Sequence, residues 1–292
     1  MQHAQPGILA EVPLQARYLT FQLKPGCNIN GLRDELEALA VSERLVVGLG
    51  ASLLARLELC VPPLHAFPQY DAASIQLPST PAALWCWLRG NDRGELLLQS
   101  SGLQQQLAPW LELSEAVDAF RFLEGRDLTG YVDGTENPQG EEARQAAFTQ
   151  EGTLQGSSFV AVQRWRHRME SFDAMSQTEK DHSVGRRLSD NEELDDAPES
   201  AHVKRTAQES FAPEAFLLRR SMPWNRGQEQ GLMFVAFGHD LQAFEQQLRR
   251  MYGLEDGIVD ALFRFTLPET GAYFWCPPTD SGQLQLDAAA RK

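Results

Sequence analysis

The sequence predicts an α+β fold in which a strand–helix–strand theme occurs in both halves of the chain. Three observations carry that expectation. The 292 residues exceed what one small core needs, which points to two domains or one double-length fold. Runs of strand length, rich in aromatic and β-branched residues, are followed by segments with apolar residues three and four apart, in the first half and again in the second. The strands alternate apolar and polar residues, as half-buried antiparallel strands do. No residue-level repeat is visible, so the duplication rests on element order.

Taken in order, ARYLTFQLKP at 16–25 reads as a strand. NINGLRDELEALAV at 28–41 reads as a helix capped by Asn28 or Asn30. LVVGLG at 45–50 is a short apolar strand ending in glycine, and AALWCWLRG at 82–90 is another strand. A helix follows over about 92–108, then a segment of mixed polarity through SEAVDAFRF. In the second half SSFVAVQRWRH at 157–167 alternates as a strand. GLMFVAFGHD at 231–240 is a buried strand, and LQAFEQQLRRMYG at 241–253 is a helix stopped by Gly253. Roughly residues 174–202 are polar and acidic and read as one long loop, a feature that in a compact domain is functional or disordered.

Composition narrows the function. At 42% hydrophobic and 23% charged residues the chain is globular in character. A net charge of −14 argues against nucleic acid and anionic membranes, which select clusters of Lys and Arg. No stretch reaches the ~20 apolar residues that span a bilayer. MQHAQPGILAEVPLQ lacks the basic-then-apolar pattern of a secretory signal. Cys27, Cys60, Cys86 and Cys276 are scattered, with no CxxC or CxxCH. That disfavours structural zinc, iron–sulfur clusters and c-type haem, and it fits a reducing cytoplasm.

The stretch LTGYVDGTENPQG, 128–140, fixes Asp133 between Gly130 and Gly134 and ends in Asn-Pro. Such chemistry makes a rigid turn, and a surface Asx turn is the plain explanation. The six histidines, His3, His65, His167, His182, His202 and His239, form no HxH or HExxH, so a metal cage of neighbouring residues is not expected. Haem b escapes that exclusion, because the porphyrin supplies four nitrogens and the protein one axial imidazole. His202, in AHVKRT, is on spacing alone most simply a surface residue. Arg219 and Arg220 leave an apolar strand in FLLRRSMPW. One such arginine commonly faces solvent, and the functional alternative is a guanidinium turned into a pocket to stabilise negative charge. There is no GxSxG, and GLG at 48–50 lacks the third glycine of a dinucleotide fingerprint.

Taken together, GYVDGTENP, AHVKRT and LRRSMP, in that order, resemble the dye-decolourising peroxidases, specifically the compact bacterial class B group. GLMFVAF, VGRR and TGAYFWCPP add to a likeness that runs from about the first strand to near residue 278. GxxDG alone is a weak pattern; with the downstream His and Arg it is specific. The resemblance implies a duplicated ferredoxin-like fold, with two antiparallel β-sheets and peripheral helices. It implies an N-terminal half, 1–128, and a C-terminal half, 129–292, carrying haem b and the distal loop 128–140. Carried over position by position, Asp133 falls on the distal aspartate, Arg219 on the distal arginine and His202 on the axial ligand of the haem iron. Arg186, in SVGRRLSD, matches an arginine that approaches a haem propionate, with Arg187 beside it. Asp260, in GIVDALFRF, is the candidate partner of the axial imidazole. Gly134 lets the backbone approach the haem, and Phe234 with Leu232 lines its pocket. Ser221 stands where many class B members have asparagine, so a hydroxyl replaces an amide in holding a distal water or peroxide.

The implied activity is reduction of hydrogen peroxide through an oxoferryl intermediate, with one-electron oxidation of dyes, phenolics or porphyrinogens. Asp133 would shuttle the proton and Arg219 stabilise the departing hydroxide, with turnover favoured on the acid side of neutral. Tyr131, Trp165, Trp224, Tyr252, Tyr273 and Trp275 could pass electrons from bulky donors, although each is more simply a core residue. The implied partners are peroxide and small-molecule electron donors, with a homo-oligomer of two or more copies. The tail DSGQLQLDAAARK carries no clear signal for a protein nanocompartment. One competing reading is a haem-binding or haem-carrying protein with incidental peroxidase activity, which would not need the Asp133–Arg219 pair. Another is a haem-free enzyme using Asp133 as base.

Overall fold

The computed structural model describes residues 4–72 and 75–291. Ten strands among them join in one antiparallel sheet: β1 (Gln15–Leu23), β2 (Leu45–Leu49), β3 (Leu84–Gly90), β4 (Leu111–Phe120), β5 (Ser158–His167), β6 (Leu218–Arg219), β7 (Met222–Arg226), β8 (Glu229–Gly238), β9 (Thr266–Pro268) and β10 (Ala272–Cys276). The order is β9-β5-β10-β2-β3-β1-β4-β7-β8-β6, with β5 also paired to β8. The four strands of the N-terminal group, numbered from its own first strand, follow the order 2-3-1-4, and β7, β8, β5 and β10, in that spatial order, repeat it.

The two sheets expected from the resemblance meet at two seams, each made by a single residue pair, Leu49 with Trp275 and Ala119 with Trp224. Together with the β5–β8 pairing, the seams close the strands into a ring. At the second seam Arg164 on β5 reaches across to Glu115 on β4 and also holds Glu269 at 3.1 Å. Alternation along the strands divides the core in two, because successive side chains point to opposite faces. Tyr18, Trp85, Trp87, Val160, Met233, Val235, Phe237 and Phe274 pack inside the ring. Leu19, Phe21, Cys86, Leu88, Ala161 and Ala236 face outward and pack with the helices.

The helices around the sheet include α1 (Ile29–Ala38), α2 (Arg93–Leu107), α3 (Gly140–Ala147), α4 (Gln177–Val184), α5 (His202–Arg205) and α6 (Gln242–Met251). Asn28 caps α1 by accepting from the Asn30 N–H, and Asp92 caps α2 by accepting from the Glu95 N–H. The mixed-polarity segment through SEAVDAFRF is β4.

The expectation of one long loop over 174–202 is corrected: α4 lies inside it. Ser176 and Glu179 form a reciprocal capping box, and Gly185 closes the helix in a left-handed conformation. α4 is polar along its length, with Val184 its one apolar residue, so it has no apolar stripe and periodicity could not show it. Its caps, S-x-x-E and a trailing glycine, were the available signal.

Candidate active site

The loop bearing Asp133 is built from tight turns. The Gly130 N–H donates to Asp127 O (2.8 Å), the Asp127 N–H to Tyr131 O (2.8 Å) and the Asp133 N–H to Gly125 O (3.0 Å). Gly130 and Gly134 have φ of +91° and +78°, a region that disfavours any side chain. Across from this loop β6 delivers Arg219. Its Nη1 stands 3.8 Å from Asp133 Oδ1, with both side chains largely but not fully buried.

His202 is the first residue of α5. Its Nδ1 lies 2.7 Å from Asp260 Oδ2. A carboxylate only accepts, so Nδ1 is the donor and Nε2 is the nitrogen left for the cavity that His202 lines. The Asp260 side chain is fully buried, and its other oxygen accepts from the Leu262 N–H at 2.8 Å. Arg205, at the other end of α5, makes a two-pronged contact with Asp256 (2.7 and 2.8 Å) and also donates to Arg250 O (2.7 Å). Hydrogen bonds from Arg205, and then from the Ile258 N–H, hold the Asp256 carboxyl down at about 2.

Between these groups lies a cleft of about 140 Å³, open to solvent on one side. Trp165, Leu232 and Phe234 line it from the sheet, and Phe244, Leu248 and Met251 from α6. His202, Asp133 and Arg219 also line it. Gln163, buried in the same wall, accepts from Trp165 Nε1 at 3.3 Å and leaves its own Nε2 without a partner. A buried donor so placed is costly unless something in the cleft accepts from it.

Sequence reasoning missed a second buried group in this cleft. His167 Nε2 is 2.8 Å from Asp127 Oδ1, and His167 Nδ1 is 2.8 Å from Thr266 Oγ1. Asp127 Oδ2 accepts from the Thr129 N–H (3.0 Å) and Oγ1 (2.6 Å). Burial pushes the Asp127 carboxyl up, but the facing His167 and these hydrogen bonds outweigh it and leave it below its ordinary value. The His167 partners are 40 and 99 residues away, so no short motif could reveal them.

The other expected site residues lie apart from the cleft wall. Arg186 is held by Glu136 (2.6 Å), Glu193 (3.2 Å) and Asn191 O (3.0 Å). Its neighbour Arg187 is exposed and pairs with Asp190. Gly134 and Ser221 line a second groove on which Asp133 and Arg219 also border. The Ser221 hydroxyl accepts from the Val235 N–H at 3.4 Å. Among the described residues no group of three or more His, Cys, Asp or Glu is placed to hold a metal ion.

Fold and cleft together define an α+β protein with a mainly apolar pocket between sheet and helix, lined by His202 and by the Asp133–Arg219 pair. A family model described as Dyp-type peroxidase, C-terminal, matches residues 124–281. The dye-decolorizing peroxidase of Mycobacterium tuberculosis is 31% identical over 261 residues, covering 86% of this chain and 76% of that protein. A putative Dyp-type peroxidase from Shewanella oneidensis superposes with a TM-score of 0.90 at 28% identity, over 99% of this chain and 98% of that one. A Rhodococcus jostii DypB variant in complex with haem superposes with a TM-score of 0.86 at 25% identity, over 95% and 97%. The chain belongs to the dye-decolorizing peroxidase family and is a haem peroxidase enzyme.

Proposed function

We propose that the protein binds haem b, reduces hydrogen peroxide and oxidises dyes, phenolics or porphyrinogens in one-electron steps. The observation that carries this reading is the pairing of His202 with buried Asp260, which leaves one imidazole nitrogen for a cleft that Asp133 and Arg219 also line. The cleft fits the cofactor: its walls are mainly apolar and aromatic, and the unpaired Gln163 amide offers a donor to a polar edge.

His202 would hold the haem iron through its free imidazole nitrogen. Phe234 and Leu232 would pack against the ring. Gly134 and Ser221 are the proposed contacts on the peroxide side, and Arg186 is the proposed propionate contact. Three Arg186 contacts are committed to Glu136, Glu193 and Asn191 O. Five N–H donors are present on a guanidinium, so some remain to share with a carboxylate.

A bound haem would supply the iron redox chemistry that peroxide reduction needs. Asp133 takes a proton from the inner peroxide oxygen and delivers it to the outer one, directly or through one water. Arg219, always cationic, stabilises the charge that develops on the departing oxygen. Asp260 accepts the His202 Nδ1–H and raises the basicity of the ligating nitrogen. The loop turns around Gly130 and Gly134 hold the acid with little freedom, which matters because a displacement of about 1 Å can cost ~100-fold.

The shared 2-3-1-4 strand order supports a duplicated ferredoxin-like architecture with halves 1–128 and 129–292. No helix of the described residues is long and apolar enough to cross a membrane. A cytoplasmic location and a homo-oligomer of two or more copies complete the proposal.

The test is rapid mixing of haem-loaded protein with peroxide. A spectral change within milliseconds that donors reverse supports the enzyme. Slow bleaching alone would favour the carrier.

A further inference from the structure

We infer that Asn137 is a positioning residue that welds the loop carrying Asp133 to the strand carrying Arg219. The inference deepens the peroxidase reading and rests on it.

β6 is only two residues long and pairs with β8 on one side, Arg219 opposite Ala236. The N–H and C=O of Arg219 both go to one side chain. Asn137 Nδ2 donates to Arg219 O at 3.0 Å, and the Arg219 N–H donates to Asn137 Oδ1 at 2.8 Å. A carboxamide carries the same donor and acceptor as a peptide, so Asn137 acts as a one-residue extension of the sheet. The two residues are 82 apart in sequence. A second carboxamide reinforces the join. Buried Gln208 donates to Glu136 O at 2.8 Å and accepts from the Leu217 N–H at 2.9 Å.

The loop is shaped to present this clamp. The Asn137 N–H donates to Gly134 O at 3.0 Å. A Cβ on Gly134 would lie 2.8 Å from Asn137 Nδ2, so a side chain there would have to displace the clamping amide. Buried Pro138 limits Asn137 to extended backbone.

Distances show which interaction sets the geometry. The Asp133–Arg219 ion pair is long at 3.8 Å and partly exposed, a kind of contact that contributes little on its own. The main-chain clamp is shorter and made of two bonds. The acid and the guanidinium are therefore held apart by the backbone and do not collapse onto each other, leaving space between them for a small ligand.

The experiment compares haem-loaded wild type with Asn137→Ala and with Asn137→Asp, which keeps the acceptor but loses the donor. Three quantities are read: amide hydrogen exchange at Arg219, haem affinity, and the second-order rate with peroxide, each also in an Arg219→Ala background where it applies. We expect Asn137→Ala to speed exchange at the Arg219 amide at least tenfold and to leave haem affinity within about twofold. We expect the peroxide rate to fall by about 10- to 100-fold, of the order that misplacement costs. The Asn137→Asp variant should lie between, and in Arg219→Ala the Asn137 change should cost under about twofold more, because the residue it positions is gone.

A wild-type peroxide rate in Asn137→Ala overturns the inference. So does a loss of equal size in the Arg219→Ala background, or a parallel fall in haem affinity, since each marks a general structural defect. If Asn137→Ala fails to fold, Asn137→Asp carries the same comparisons. If the wild type takes up no haem, the peroxidase reading falls, while exchange at the Arg219 amide still decides the clamp.

Discussion

His202 gives one nitrogen to Asp260 and the other to the cleft, so each can be altered separately. His202→Ala should abolish haem retention, read as loss of the Soret band after gel filtration. Asp260→Asn should keep the haem but raise the ferric–ferrous potential and slow the peroxide reaction about tenfold, because a weaker acceptor leaves the imidazole less electron-rich. On the peroxide side, Arg219→Ala should slow the reaction more than Asp133→Ala in stopped-flow measurements; the opposite ranking would give the larger role to the carboxylate. Asp133, His202 and Arg219 were legible because each sits in a short distinctive motif. Gln163 and the His167–Asp127 pair were not, because they are defined by neighbours on other strands and turns. Asn137 was visible as part of the turn, but its bond to Arg219 crosses 82 residues and needs the fold.

Short elements carry the site and depend on their ends. α5 is one turn long and places His202, so the Arg205–Asp256 contact does much of what a longer helix would do for itself. The Asp256 carboxyl titrates at about 2 in the folded chain, against ~3.9 for a free aspartate. A depressed carboxyl stabilises fully above the unfolded value and loses that contribution as pH falls through the folded value. The gap in thermal midpoint between wild type and Asp256→Asn should thus be full at neutral pH and close between about pH 4 and pH 2. A gap that persisted at pH 2 would show that packing, not charge, is what the substitution removes. The strands and long helices were legible from periodicity, with ends shifted by a few residues. α4 was hidden because its order comes from the Ser176–Glu179 box, and Ser176→Ala should cost about 1 kcal/mol in denaturant unfolding.

At the scale of the molecule, strand content and alternation were readable from the sequence, but the closing of the strands into a ring was not. Closure depends on two residue pairs joining opposite halves and on aromatic packing inside. Trp85, fully buried on β3, stacks on Tyr18 of its own half at 6.1 Å and on Phe274 of the other at 6.0 Å. Trp85→Ala should cost about 3–5 kcal/mol. Far-UV dichroism and haem absorbance should still move together on unfolding, because the halves share this core; separate transitions would show that they fold independently. Beyond Ala119 the outer rim of β4 has no ladder partner among the described residues, and ion pairs border it: Glu115 with Arg164, and Asp118 with Arg17 and Arg93. Bare rims of that kind invite stray chains to stack, and charged side chains discourage them. Strong acid would protonate the carboxylates and break those pairs, so clumping at low pH is the hazard this charged border keeps in check.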